Sequence, residues 1–107
     1  MILIVVKFQV KPELADQWPE LTREFTEETR KEPKNKFFEW SRSLEDPNEY
    51  VLLEAFEDDA AEAHVNSGHF KAAQEFFPTI LKETPTIINT LIEGKTEWDE
   101  MAEFKVS

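Results

Sequence analysis

Segments of strand and helix character follow one another in the order strand, helix, strand, strand, helix, strand, with turn formers between them. That order predicts an α+β fold of the ferredoxin-like type, a split β-α-β sandwich. Right-handed crossovers then give a four-stranded antiparallel sheet with both helices on one face. At 107 residues the chain has room for one such domain and little more.

Ile2, Ile4, Val6, Phe8 and Val10 alternate with Leu3, Val5, Lys7 and Gln9, so the first strand is apolar on both faces along its first half. Lys11-Pro12 ends it. Leu14, Trp18, Leu21 and Phe25 follow at helical spacing on one stripe. Pro19 is tolerable there if Asp16 caps a fresh start that leaves Pro19 in the first turn; a kink after one preliminary turn is the alternative. The helix is expected to fade around Lys31 to Pro33. Phe37–Leu44 and Tyr50–Phe56 read as a hairpin, because Glu45-Asp46-Pro47-Asn48 supplies the turn.

Asp58 or Asp59 is placed to cap a second helical region, Ala60 to Val65. Asn66-Ser67-Gly68 interrupts it, and Phe70, Ala73, Phe76, Phe77, Ile80 and Leu81 resume the stripe, with Pro78 as a candidate kink. Thr86 to Glu93 reads as the last strand, closed by Gly94. Residues 1–94 thus form the domain. Residues 95–107 form a tail in which Trp98, Met101 and Phe104 are spaced three apart.

Two helices cover only one face of a sheet. The other face carries Tyr50, Leu52 and Phe56 or Val51, Leu53 and Ala55, depending on the pleat, and either set is too apolar to leave wet. A second copy of the sheet is the expected cover, making a homodimer. The tail is expected to pack on that dimer, the alternative being that it folds back on its own subunit.

The chain carries 23 acidic and 12 basic residues, a formal charge of −11, and so repels phosphate on average; no nucleic-acid partner is expected. Lys31, Lys34 and Lys36 read as a solvated turn. The absence of cysteine excludes disulfides, thiolate metal sites and a cysteine nucleophile. No apolar run approaches a bilayer's thickness, and Met1 to Val10 reads as a strand rather than a signal peptide, so a cytoplasmic protein with no membrane partner is expected. The two glycines, Gly68 and Gly94, form no phosphate loop, and no serine sits in a nucleophile elbow.

The only histidines are His64 and His69. A spacing of five does not stack them on one helix as metal-binding steps of three or four do, although the Asn66-Ser67-Gly68 break leaves their geometry open. Adding Glu54 would imitate a two-histidine, one-carboxylate iron site. With no second signature, no metal is expected. His69, beside a helix start, reads as a capping or packing residue. Glu54, between Leu53 and Ala55, is the odd residue of the strands and reads as a salt-bridge partner for Arg42. Trp40, Tyr50, Phe56, Phe70, Phe76 and Phe77 are mainly core, yet so many rings in a small sandwich can leave an apolar pocket.

The chain resembles the antibiotic biosynthesis monooxygenase family of small dimeric α+β barrel proteins from Met1 to about Glu93. The resemblance rests on Leu44-Glu45-Asp46-Pro47, on Tyr50-Val51-Leu52-Leu53-Glu54-Ala55-Phe56, and above all on Ala63-His64-Val65-Asn66-Ser67-Gly68-His69-Phe70-Lys71. Members commonly show Trp where Phe56 stands and Pro where Gly68 stands. The resemblance implies a monooxygenase without cofactor that oxidises quinols or polycyclic phenols with O₂. His64 is then the catalytic base. Trp40, Phe8, Tyr50, Glu54, Asn66, His69 and Phe70 are the expected substrate-binding residues, the rings sandwiching a planar substrate. Haem-degrading relatives carry an Asn in the first strand with a Trp and a haem-ligating His ten residues apart; here the first strand lacks Asn and the helical positions hold His64 and Gln74. Relatives that isomerise a phosphorylated sugar derivative need cations for the phosphate, and only Lys71 and Arg42 offer them. The alternative to an enzyme is a non-catalytic dimeric module that binds a small molecule or serves in stress.

Overall fold

The computed structural model describes residues 1–107. Strands β1 (Ile2–Gln9), β2 (Asn35–Arg42), β3 (Glu49–Phe56) and β4 (Thr86–Leu91) form one antiparallel sheet in the order β2-β3-β1-β4. A 3₁₀ turn (Pro12–Gln17) and helices α1 (Trp18–Leu21) and α2 (Arg23–Arg30) connect β1 to β2. Helices α3 (Ala61–Val65) and α4 (Gly68–Ile80) connect β3 to β4. This is the split β-α-β arrangement that the order of elements demands. No helix is long and apolar enough to cross a membrane.

Register fixes the pleat. Phe8 lies opposite Tyr50, Val6 opposite Leu52, Ile4 opposite Glu54 and Ile2 opposite Phe56. Phe8, Val6, Tyr50, Leu52 and Phe56 are buried, so this set faces the helices. The open face therefore carries Leu3, Val5, Val51 and Leu53, with Ile88 of β4 opposite Val5. Ile88 is 72% exposed. A bulge between Asn35 and Phe37 turns Phe38 into the core and Phe37 to the open face. There the Trp98 ring of the tail packs on Phe37 at 5.2 Å, while Met101, Phe104 and Val106 remain exposed.

The first connection departs from a single capped helix. Pro19 does occupy the first turn of α1, where its missing N–H costs little. Asp16, however, caps nothing: its carboxylate accepts from Arg42 at 2.8 Å. Asp58 and Asp59 likewise do not cap α3, since Asp58 pairs with the amino group of Met1 and Asp59 with Lys34. The β2 strand lies two residues earlier than the expected Phe37–Leu44, leaving Leu44 exposed in the turn, and β4 ends at Leu91 rather than Glu93. Gly94 follows in the left-handed region, φ +74°, which only glycine enters without strain. Pro78 lies inside α4, which runs on to Ile80. Phe76 points outward rather than into the stripe.

Candidate active site

The break at Asn66-Ser67-Gly68 makes the site. It stops α3 one turn after Ala61, and Ser67 restarts the chain as the N-cap of α4, its hydroxyl accepting from the Phe70 N–H at 3.2 Å. Capping thus belongs to Ser67, not His69. His64 sits at the end of α3 and His69 at the start of α4, and both rings turn to Glu32 in the turn after α2. Glu32 Oε2 accepts from His64 Nδ1 at 2.7 Å and from His69 Nε2 at 2.6 Å. The two imidazoles meet despite their spacing of five because the Asn66-Ser67-Gly68 break puts them on different helices. Their common carboxylate is Glu32 rather than Glu54.

A carboxylate only accepts, so the nitrogen of each ring that faces it carries the proton. With Nδ1–H of His64 committed to Glu32, the neutral ring keeps its lone pair on Nε2. That atom lies 3.8 Å from Glu54 Oε1, too far for a hydrogen bond. His64 is wedged between Phe56, at 4.8 Å between centroids, and the edge of Phe70, at 5.1 Å.

Glu54 is buried, 4% exposed, and its Oε1 has no hydrogen-bond partner. Burial first, and the neighbouring charge of Glu32 second, push its carboxyl from 4.5 up to about 7. The expected bridge to Arg42 does not form. Arg42 pairs across the hairpin with Tyr50, four residues along the strand from Glu54, and spends its guanidinium on Asp16 and on the Pro47 carbonyl.

Between the helices and the β1–β4 end of the sheet lies a cleft of ≈ 660 Å³. Its walls are mainly apolar: Ile4, Phe8, Phe25, Phe70, Phe77 and Ile87. Glu54 and His64 face it, with Gln74 and Asn89 as further polar groups. This volume suits a small aromatic molecule.

Of the residues expected to bind substrate, Phe8, Glu54 and Phe70 line this cleft with His64. The other four do not. Trp40 and Tyr50 are locked in the core, Trp40 donating to Thr26 Oγ1 and Tyr50 to the Ala15 carbonyl, each at 2.8 Å. Asn66 closes α3, and His69 is turned to Glu32. Sequence reasoning missed Glu32, Phe25 and Asn89. Glu32 lies 32 residues from His64 and 37 from His69, and no local pattern joins them.

The model of the antibiotic biosynthesis monooxygenase family matches residues 1–75, a span that takes in Glu32, Glu54, His64 and His69. The chain belongs to that family. A conserved protein from Methanosarcina mazei Go1 is 30% identical, with 83% of this chain and 89% of that one covered and a TM-score of 0.77. A candidate antibiotic biosynthesis monooxygenase from Nitrosomonas europaea is 26% identical over 87% of this chain and 99% of its own, TM-score 0.78. A structure from Deinococcus radiodurans superposes with a TM-score of 0.79 over 94% of this chain and 100% of its own; at 15% identity it speaks for the fold alone. No curated protein matches the sequence. In this antibiotic biosynthesis monooxygenase family member, β4 and the end of α4, which complete the cleft, lie beyond the matched residues.

Proposed function

We propose that the protein is a monooxygenase that oxidises a quinol or polycyclic phenol with O₂, with no flavin or metal in the reaction and with His64 as general base. The supporting observation is one apolar, ring-walled cleft faced by the buried imidazole whose Nδ1–H is held by Glu32. A planar substrate lies against Phe8 and Phe70. His64 Nε2 takes its acidic proton, and Glu32 stabilises the imidazolium that forms. The resulting anion is a strong electron donor, held against apolar walls that offer it little hydration.

For an anthrone-type CH₂, loss of one proton to His64 gives a carbanion that passes an electron to O₂. Recombination forms the C–O bond, and the proton returns to give a hydroperoxide. Loss of water then breaks the O–O bond and leaves a ketone. The sum is CH₂ + O₂ → C=O + H₂O, with one oxygen atom in each product. Glu54, neutral over much of the range below 7, adds no negative charge against the substrate anion there. The test is oxidation of an anthrone by chelator-treated protein under ¹⁸O₂. One labelled atom in the product and one in water supports the reading; ligand binding with no oxygen consumed leaves a binding module instead.

The same reading includes a homodimer, supported by the apolar face of Leu3, Val5, Val51, Leu53 and Ile88 that no helix covers. A second sheet is its cover, and the tail from residue 95 onward packs on the pair. Sedimentation equilibrium at micromolar concentration is expected to return about twice the 12.6 kDa chain mass. A well-folded monomer sinks this part.

A further inference from the structure

We propose that Glu32, His64 and His69 bind a first-row divalent metal ion of the zinc type, and that the ion silences the enzyme by capturing His64. The silencing rests on the reading of His64 as base; the binding does not.

Three observations carry the site. The first is convergence. Glu32 Oε2, His64 Nδ1 and His69 Nε2 all lie within 4.8 Å of one another, on three separate elements that the Asn66-Ser67-Gly68 break brings together. A tetrahedral ion with bonds of about 2.0–2.1 Å holds its ligand atoms about 3.4 Å apart. The two short contacts to Glu32 must open and the two rings must close, each side chain moving by less than about 1 Å. Two imidazole nitrogens and one carboxylate oxygen suit Zn²⁺, Co²⁺ or Ni²⁺, whereas Ca²⁺ and Mg²⁺ prefer all-oxygen shells.

The second observation is an acceptor placed near the other nitrogen of His64. Metal on Nδ1 fixes the proton of His64 on Nε2. That N–H then faces Glu54 Oε1 at 3.8 Å, the buried oxygen that otherwise has no partner. Metal-bound histidines characteristically donate their other N–H to a carboxylate; here that bond forms once the two side chains close by a little under about 1 Å. Ser67 Oγ, 3.2 Å from His69 Nε2, donates to the His64 carbonyl at 2.6 Å and so does not need the imidazole as its acceptor.

The third is access and charge. The side chains of Glu32 and His69 are each 16% exposed, so the ion enters from solvent without passing through the cleft. The formal charge of −11 draws cations to the surface.

The consequence is a switch in proton inventory. The free enzyme presents a lone pair on Nε2; the metal-bound enzyme presents an N–H that cannot take the substrate proton. Because the ion sits behind His64 rather than in the cleft, inhibition is expected to lower kcat and leave KM nearly unchanged.

The experiment titrates chelator-treated, buffer-exchanged protein with Co²⁺, followed by its visible ligand-field bands, and then displaces it with Zn²⁺. One ion per chain is expected, with affinity reduced in His69→Ala by at least the ten- to hundredfold that loss of an outer-shell partner costs. His69→Gln, which keeps a hydrogen-bonding side chain, is expected to bind as weakly, so poor folding of the alanine variant does not decide the result. Absence of Co²⁺ bands in the wild type, or equal affinity in wild type and both variants, overturns the site. Under turnover, stoichiometric Zn²⁺ is expected to stop the wild type and spare His69→Ala. Stoichiometric binding with undiminished kcat overturns the silencing. An enzyme inactive even without metal refutes the oxidation reading, while the Co²⁺ titration still decides the site.

Discussion

The two ends of the helix–sheet interface are both built of rings, yet one is filled and the other is not. At the Phe8–Tyr50 end, Trp18 is fully buried and packs on Phe8, Phe77, Trp40 and Tyr50, with centroids 5.3 to 5.9 Å apart. The polar tips of Trp40 and Tyr50 are satisfied there, while the Trp18 indole N–H lacks a partner. At the Ile4–Glu54 end, a few residues along the same strands, the space stays open and a buried carboxyl oxygen is left bare. A bare ionisable group is costlier to bury than a bare indole N–H, because its charged form is heavily penalised there. Its retention next to a partnered histidine supports the proposal that the second end is the working one.

Substitutions at the two ends sharpen the contrast. Trp18→Ala opens a void in the filled end and is expected to cost about 3–5 kcal/mol of unfolding free energy, measured by urea denaturation. Phe70→Ala, at the wall of the cleft, is expected to cost only about 1 kcal/mol while raising KM. Equal costs break the comparison.

The bare carboxyl gives a pH signature that the filled end lacks. Glu54 is raised from 4.5 to about 7 in the folded protein, so the native state holds its proton over a range where the unfolded chain has released it. Its contribution to stability is present in full below 4.5 and is lost as pH rises through about 7, a change of up to about 3 kcal/mol. Urea midpoints between pH 4 and 8, with chelator present, are expected to show this fall. Glu54→Gln is expected to flatten it, leaving the variant more stable than the wild type at pH 8. An unchanged slope in the variant assigns the effect elsewhere.

Glu32→Gln is a smaller perturbation, since the amide can still accept from His64 Nδ1 but no longer stabilises an imidazolium by charge. About a tenfold loss of kcat with little change in KM is expected from stopped-flow turnover. A change in KM alone would make Glu32 part of binding rather than of positioning.

Much of the fold was legible because it depends on short-range signals. Alternation in Ile2 to Val10, the turn at Asp46-Pro47-Asn48 and the break at Asn66-Ser67-Gly68 each act within a few residues, and together they dictate order and topology. His64 was legible through its surrounding motif. The partners of the site were not. Glu32 reaches His64 only after the chain has crossed the sheet, and Arg42 misses Glu54 because pairing register places it opposite Tyr50. Trp40 and Tyr50 share the helix-facing side of the sheet with Glu54, but only the landing point of Trp18 decides which rings are sealed and which line the cleft. That choice is made by packing between elements, which leaves no periodic trace in the sequence.

The central claim is that the open end oxidises an aromatic substrate through the imidazole held by Glu32. Oxygen uptake with an anthrone-type substrate, without flavin and with chelator present, tests it most directly in wild type and His64→Ala side by side. Ligand affinity is measured on both. The expected result is similar affinity and a loss of turnover on the order of a hundredfold or more in the variant. Equal turnover in the two proteins contradicts it.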